Sequence, residues 1–444
     1  MAGKVVLVGG GSYGWGPAVT GRVLQHPQLG GWQLVLHDLD PEPLGLVWRL
    51  GERWRERSGS SVRLEQTTDL AAALDGADAV IVTIATGGLR AMAIDLEVPE
   101  RHGVYQTVGD TVGPGGLSRA LRNVPVFVGL ARAMEKHCPG AWMLNASNPL
   151  CALTRAVNRA TSIRALGLCH GVRGVARQLA GFFGVTLDQC AWVNTGIDHC
   201  AWFTDFRIDG RQAVDLLLEQ GLESWLRLPP EAARADGRFG SLFTLRCGLA
   251  LGLQLGALPA IGDRHLVEFF PGYLDSPDRI AAHGLKRTTM ADRQAGRQQA
   301  RLRLEEQLAA ADDTIPVSGS DDVAGWVAAL AGAAVVEDNV NAPNDGQVPQ
   351  LPSGAIVETR GVLDAAGCHP LVSPMPRALE AVVRPHSLRE EMVVEAALTG
   401  NRELALAALS SDPLLGSPEA ARAVLAELLA GTREWLGEPL GTIG

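Results

Sequence analysis

The sequence has no CxxC pair and no HExxH motif, so two common signatures of protein-bound zinc are missing. It has no run of basic residues and a net charge of −10, which excludes a surface built to track nucleic-acid phosphates. Tyrosine is scarce, with only Tyr13, Tyr105 and Tyr273 present. No long hydrophobic run occurs. The longest, CGLALGLQLGALPAIG (247–262), is broken by glycines, a glutamine and a proline and is too short to span a bilayer. The seven cysteines are scattered and odd in number, as expected of free thiols in a reducing compartment. The N-terminus runs into a glycine loop without a signal-peptide cleavage pattern. These absences predict a soluble cytoplasmic protein with neither a membrane nor a nucleic-acid partner.

What is present points to a large α/β protein. At 444 residues and 46% hydrophobic, the chain can bury a substantial core in two domains or one elaborated one. KVVLVGG is a short, continuous apolar run, as in a strand covered on both faces. A helical pattern follows over 16–29, and WQLVLHDLD (32–40) reads as a second strand. DLAAALDGADAVIVTIA gives a helix and a third strand, and 122–149 gives a helix and a fourth. IRALGLCH reads as a fifth. Alternation of this kind predicts parallel βαβ units, hence a Rossmann-like doubly wound sheet within residues 1–192. Residues 193–444 are expected to form an α+β substrate and oligomerisation domain. There, 191–210 alternates like antiparallel strands, 292–313 is a charged helix, 355–372 a hairpin, and the Ala/Leu-rich segment from 378 is helical.

Gly9-Gly10-Gly11-Ser12-Tyr13-Gly14 satisfies GxGxxG between a predicted strand and a predicted helix. Glycines there let the backbone approach a pyrophosphate, and the helix N-terminus supplies amide donors. Asp38 ends the second strand, where an acid binds ribose hydroxyls and favours NAD over NADP. Cys169 and His170 fall at the carboxyl end of the fifth strand, where ligands gather in open α/β sheets. With His199 they offer thiolate and imidazole, which suit a borderline-soft divalent ion. Spacing alone does not show that Cys169 and His199 meet. His26, His137 and His386 read as surface residues, and Cys151, Cys190 and Cys200 as packing.

GDTVGPGGLSRALRNVP (109–125), NASNP (145–149), GLCH (167–170) and GIDH (196–199) occur in the order found in glycoside hydrolase family 4. The resemblance runs from the glycine loop to about residue 430. GDRHLVEFFPG (262–272) and NVNAPNDGQVPQLP (339–352) resemble its α-galacturonidase branch. The family comprises NAD- and manganese-dependent glycosidases whose nucleotide fold is shared with lactate and malate dehydrogenases. Its members depart from the two-carboxylate mechanism. They oxidise the sugar at C3, remove the C2 proton, eliminate the aglycone, add water at C1 and return the hydride.

Carried over by position, the resemblance implies that Cys169 and His199 are metal ligands and that Asn148 binds a substrate hydroxyl. It makes His170 the general acid and has Asp110 tune the proton acceptor. Gly9, Gly11, Ser12, Tyr13, Gly14, Asp38 and Asn145 are implied at the NAD site. A uronate carboxylate invites a guanidinium, which makes Arg119 and Arg264 substrate candidates, with Arg122 open between an active-site and a structural role. Two departures stand out. Asp198 replaces the family's usual Asn before the metal His, where it would touch substrate, join the metal shell or orient His199. Phe269 stands where many members have the tyrosine base, which leaves Tyr273, His265, Asp263 or metal-bound hydroxide. Asp263 is also a substrate candidate.

The reading is therefore an NAD- and Mn²⁺-dependent α-galacturonidase or α-glucuronidase forming a homodimer or homotetramer, with helices after 378 as candidate interface. The same mechanism on a neutral hexoside or a 6-sulfonated sugar is the first alternative. A 2-hydroxyacid dehydrogenase and a catalytically silent NAD-binding protein are alternatives of another kind.

Overall fold

The computed structural model describes residues 3–310, 315 and 322–437. Among these residues thirteen strands form two sheets. The N-terminal portion supplies β1 (Lys4–Val8), β2 (Gln33–His37), β3 (Arg63–Thr67), β4 (Ala79–Val82), β5 (Trp142–Asn145) and β6 (Arg164–Gly167). Then come β7 (Cys190–Ile197), β8 (Cys200–Ile208), β9 (Arg211–Gln212) and β10 (Leu258–Pro259), followed by β11 (Val336–Pro343), β12 (Ile356–Asp364) and β13 (Gly367–Pro370).

The first six strands are parallel and ordered β3-β2-β1-β4-β5-β6. This is the doubly wound arrangement read from the sequence. In β1 the side chains alternate between two cores: Val5 and Leu7 enter one layer, Val6 and Val8 the other. A strand buried on both sides must be apolar throughout, which is why it reads as a continuous run.

Four features differ from expectation. Strand β3, RLEQT, was not foreseen, because it lies at the sheet edge and buries only Leu64. The first sheet does not end with the first 190 residues: β11 adds antiparallel to β6, with Asn341 opposite Gly167, and β12 and β13 follow, each antiparallel to the strand before it. The boundary expected between 192 and 193 falls inside β7, which pairs with β8 in the second sheet. His386, read as a surface residue, is only 3% exposed. Its Nδ1 accepts from Arg389 at 2.6 Å, so its Nε2–H donates to the Phe269 carbonyl at 2.8 Å.

The charged helix spans Met290–Ala309, and the predicted residues 311–313 lie outside the described ones, as do those beyond 437. The Ala/Leu-rich segment folds as helices Arg377–Thr399, Arg402–Ser410 and Pro418–Gly431. Their Val394, Ala405 and Leu425 pack into the layer that holds Val6, Val80 and Phe127, so these apolar faces are spent within the chain. No described helix is long and apolar enough to cross a membrane.

Candidate active site

The carboxyl ends of β1, β2, β5 and β6 deliver four loops to one rim. Chain direction across the sheet reverses between β1 and β4, and a crevice forms outside the strand ends at such a point. In the first loop Gly9 has φ +94°, and a Cβ there would lie 2.7 Å from Thr83 Oγ1. The amides of Gly9 and Gly10 donate to the His37 carbonyl, and Gly11 N donates to Asp38 Oδ2 at 2.9 Å. These bonds fasten the loop to the end of β2. The amides of Tyr13 and Gly14, which precede helix Trp15–Gln25, have no acceptor among the described residues. Gly14 also has open space where a side chain would be. The guanidinium of Arg297 lies over the Tyr13 ring at 5.7 Å.

Cys169 follows β6 and precedes helix Gly171–Phe182, where its Sγ accepts from Gly171 N at 3.3 Å. Asp198 and His199 form the two-residue turn joining β7 to β8, closed by the Ile197–Cys200 pair. His199 sits at φ +63°, in the left-handed region that a non-glycine side chain rarely adopts. The turn carries both side chains to Cys169: one ligand atom from each of the three lies within 4.8 Å of the others. Asp110, His199 and His265 form a second such group. The His199 and His265 rings stack at 3.7 Å, and His265 Nδ1 lies 4.0 Å from Asp110 Oδ1.

Electrostatics separates these groups. Asp110 is held below the usual carboxylate range: burial resists its ionisation, but His265, His199 and Arg119 outweigh it. Burial pushes His199 down to about 4 and, with help from His199, His265 down to about 3, so both rings are neutral near pH 7. Thr111 Oγ1 lies 2.8 Å from Asp110 Oδ1 and 2.7 Å from His199 Nδ1. A hydroxyl has one proton, and the ionised carboxylate takes it. His199 Nδ1 must then donate to Thr111, which leaves the Nε2 lone pair free for a ligand. Burial, and the negative charge of Asp198 and Glu358, hold the Cys169 thiol well above its ordinary value. A cation would reverse that.

The remaining sequence candidates divide. Asn148 Nδ2 donates to Asp110 Oδ2 at 3.3 Å, and its carbonyl accepts from Arg119 Nε at 2.9 Å, so both join the site. His170 is exposed at the rim, near enough to act electrostatically on Asp198 and His199. Arg264 donates to Thr288 Oγ1 at 2.6 Å and stands beside His265. Asn145 was expected at the cofactor. Its amide instead donates to Leu150 O and Thr154 Oγ1 while its oxygen accepts from Ser147 N, so it braces the turn. Asp263, expected at substrate or as base, accepts from Cys247 N and Gly248 N at 2.8 Å each and caps helix Arg246–Leu255. Tyr273 packs 4.7 Å from the His283 ring, away from the Asp110 group, and burial raises its phenol. Arg122 is structural, with two hydrogen bonds to buried Asp95.

Three contributors escaped the sequence reading. Glu268 Oε1 accepts from Val108 N at 2.6 Å, Gly109 N at 2.9 Å and Thr107 Oγ1 at 3.1 Å, and so sets the loop that presents Asp110. Its place beside Phe269 in HLVEF was the available signal. Thr111, adjacent to Asp110, carries the relay to His199. Glu358, on β12 opposite Asn341, lies fully buried behind Asp198, and nothing local marks it.

Known proteins share this fold and much of this sequence. A curated α-galacturonidase of Bacillus subtilis is 34% identical over 431 residues, covering 93% of each chain. The crystal structure of a putative glucosidase from Bacillus subtilis superposes with a TM-score of 0.86 at 31% identity, covering 96% of this chain and 99% of the other. A 6-phospho-α-glucosidase from gut microorganisms, in complex with NAD and Mn²⁺, shares the fold with a TM-score of 0.82 at 21% identity, over 98% and 99% of the two chains. Malate dehydrogenase from Plasmodium falciparum shares it more distantly, with a TM-score of 0.52 at 13% identity over 91% and 99%. The family 4 glycosyl hydrolase profile matches residues 4–185, and the profile of that family's C-terminal domain matches 194–415. With both profiles matched in order along most of its length, this chain belongs to family 4 of the glycosyl hydrolases.

Proposed function

We propose that the chain hydrolyses an α-galacturonide using bound NAD and a divalent cation, most suitably Mn²⁺. The observation that carries this reading is the meeting of Cys169 and His199 on the same rim as the Gly9–Gly14 loop, in a chain 34% identical to an α-galacturonidase. The residues fit both groups. Unclaimed Tyr13 and Gly14 amides at a helix N-terminus suit a pyrophosphate, and Asp38 stands where a ribose would be met. Cys169 Sγ and His199 Nε2 supply the soft donors of a divalent site. When bound, NAD supplies oxidation and re-reduction at C3, and the cation supplies Lewis acidity toward the sugar oxygens.

The chain's own groups handle the protons and the orientation. His265 Nδ1 is buried beside ionised Asp110, which favours the tautomer protonated at Nδ1, and the Nε2 lone pair then accepts the C2 proton. Asp110, 4.0 Å away and ionised, steadies the imidazolium that results. His170 at the rim donates to the leaving oxygen. Asn148 presents its amide to a sugar hydroxyl. Arg264, steadied by Thr288, meets the C6 carboxylate through charge-assisted hydrogen bonds. The same reading places the protein in the cytoplasm as a homodimer or homotetramer; all seven cysteines being free supports the compartment.

The test is an aryl α-galacturonide supplied with NAD, Mn²⁺ and a thiol reductant. Cleavage without net NADH, faster than that of the matching galactoside, is expected. Arg264→Ala should cost about 2–5 kcal/mol on the galacturonide alone. A faster neutral galactoside overturns the C6 assignment, and stoichiometric NADH points to a dehydrogenase.

A further inference from the structure

We infer that Asp198 is a third protein ligand, so that the cation is held by Cys169, His199 and Asp198 rather than by thiolate and imidazole alone. The inference rests on the metal-dependent reading above and specifies its site. Three observations carry it. First, the turn between β7 and β8 brings the adjacent Asp198 and His199 together: each has a ligand atom within 4.8 Å of the other and of a Cys169 ligand atom. The left-handed backbone at His199, an uphill conformation for a side chain of this size, accompanies that convergence.

Second, Asp198 is completely buried, and no nitrogen or oxygen donor reaches either carboxylate oxygen among the described residues; the group that approaches it is the Cys169 thiol, itself the first ligand. Its nearest basic group is His199 Nδ1, 3.6 Å away and already hydrogen-bonded to Thr111 Oγ1. A desolvated carboxylate without a donor is costly unless a cation completes it. The contrast with neighbouring acids is direct, since Asp263 and Glu268 are also buried but each takes two backbone amide donors.

Third, charge balances. A thiolate and a carboxylate together neutralise a dication, whereas an amide in place of Asp198 would leave one positive charge in a dry site. A hard oxygen donor beside the soft sulfur also widens the set toward Mn²⁺, which oxygen ligands suit. Asp198 therefore binds the ion, and the substrate contact expected from its position falls to Asn148 and the arginines.

The experiment measures Mn²⁺ binding itself, through the electron paramagnetic resonance signal of free Mn²⁺ titrated with NAD-loaded protein. Replacing groups that merely orient metal ligands costs 10–100-fold in affinity, so loss of a ligand in Asp198→Asn should weaken binding by at least about 100-fold. In the Co²⁺-loaded protein the variant should keep the thiolate-to-metal charge-transfer band and shift its ligand-field bands, while Cys169→Ser loses the former. Metal-free Asp198→Asn should unfold no earlier than wild type, because it sheds an unpaired buried charge; Asp198→Ser repeats the titration if the amide impairs folding. Wild-type Mn²⁺ affinity in a folded Asp198 variant overturns the assignment. Undiminished binding by Cys169→Ser, or none by wild type, would instead remove the metal site on which it rests.

Discussion

Two sets of buried carboxylates stand side by side and differ in one respect. Asp95, Asp263 and Glu268 are fastened by protein donors: a guanidinium for the first, paired backbone amides for the others. Asp198 and Glu358 are buried as deeply, at zero exposure, and neither a backbone amide nor a guanidinium reaches their oxygens among the described residues; only the Cys169 thiol approaches the first and the Asn341 amide the second. Burial is the largest influence on each, and Asp263 and Glu268 are raised to about 7 and Asp198 to about 6, so desolvation does not distinguish the sets. Satisfaction does. Acids whose hydrogen bonds close within the chain build the scaffold, and those left open face the ligand. His265, with its unpartnered Nδ1, belongs to the open set.

Breaking the open set should affect turnover most. His265→Asn removes the proton acceptor and should lower kcat by about 10²–10⁴-fold while leaving Mn²⁺ affinity and thermal stability near wild type. Steady-state kinetics with C2-deuterated substrate would show an enlarged isotope effect. Breaking the closed set should affect folding instead. Arg122→Met strands the Asp95 charge and should cost about 3–5 kcal/mol in denaturant unfolding, most of it recovered when Asp95→Leu is added. A shift typical of surface substitutions would dissolve the distinction between the sets.

Finer tests use titration and capping. Glu268, raised to about 7 from an ordinary 4.5, holds its proton more tightly folded than unfolded. Its contribution is complete below pH 4.5 and is lost as pH rises through 7. The stability of wild type relative to Glu268→Gln should therefore fall by about 2–4 kcal/mol over that interval, read from urea midpoints at the two ends. Asp263→Asn keeps one acceptor for two amides and should cost about 1–3 kcal/mol in thermal unfolding, with faster hydrogen exchange at Cys247 and Gly248.

The parallel strands and the glycine loop were legible because burial on both faces and a tight turn each restrict composition locally. Cys169, His199, Asp110 and Asn148 were singled out as candidates through motif order, and they lie near one another in the fold. What stayed hidden depends on contacts remote in sequence. Glu268 reaches back 160 residues to Val108, and Asp263 looked catalytic until its carboxylate was seen closing a helix end. His386 read as exposed because nothing near it in sequence reveals the Phe269 carbonyl 117 residues away. β3 escaped because an edge strand tolerates the polarity of RLEQT.

The pairing of Gly167 with Asn341 also bears on how the protein is made. Strand β6, which aims Cys169, finds its outer neighbour only after some 170 further residues have been synthesised. Until then its hydrogen-bonding edge is bare, and a bare edge templates association between nascent chains. A fragment ending near residue 192, though it contains the whole nucleotide loop, would keep that edge permanently open. It should aggregate when expressed alone, whereas co-expression with the remainder of the chain would supply the missing strand and restore solubility.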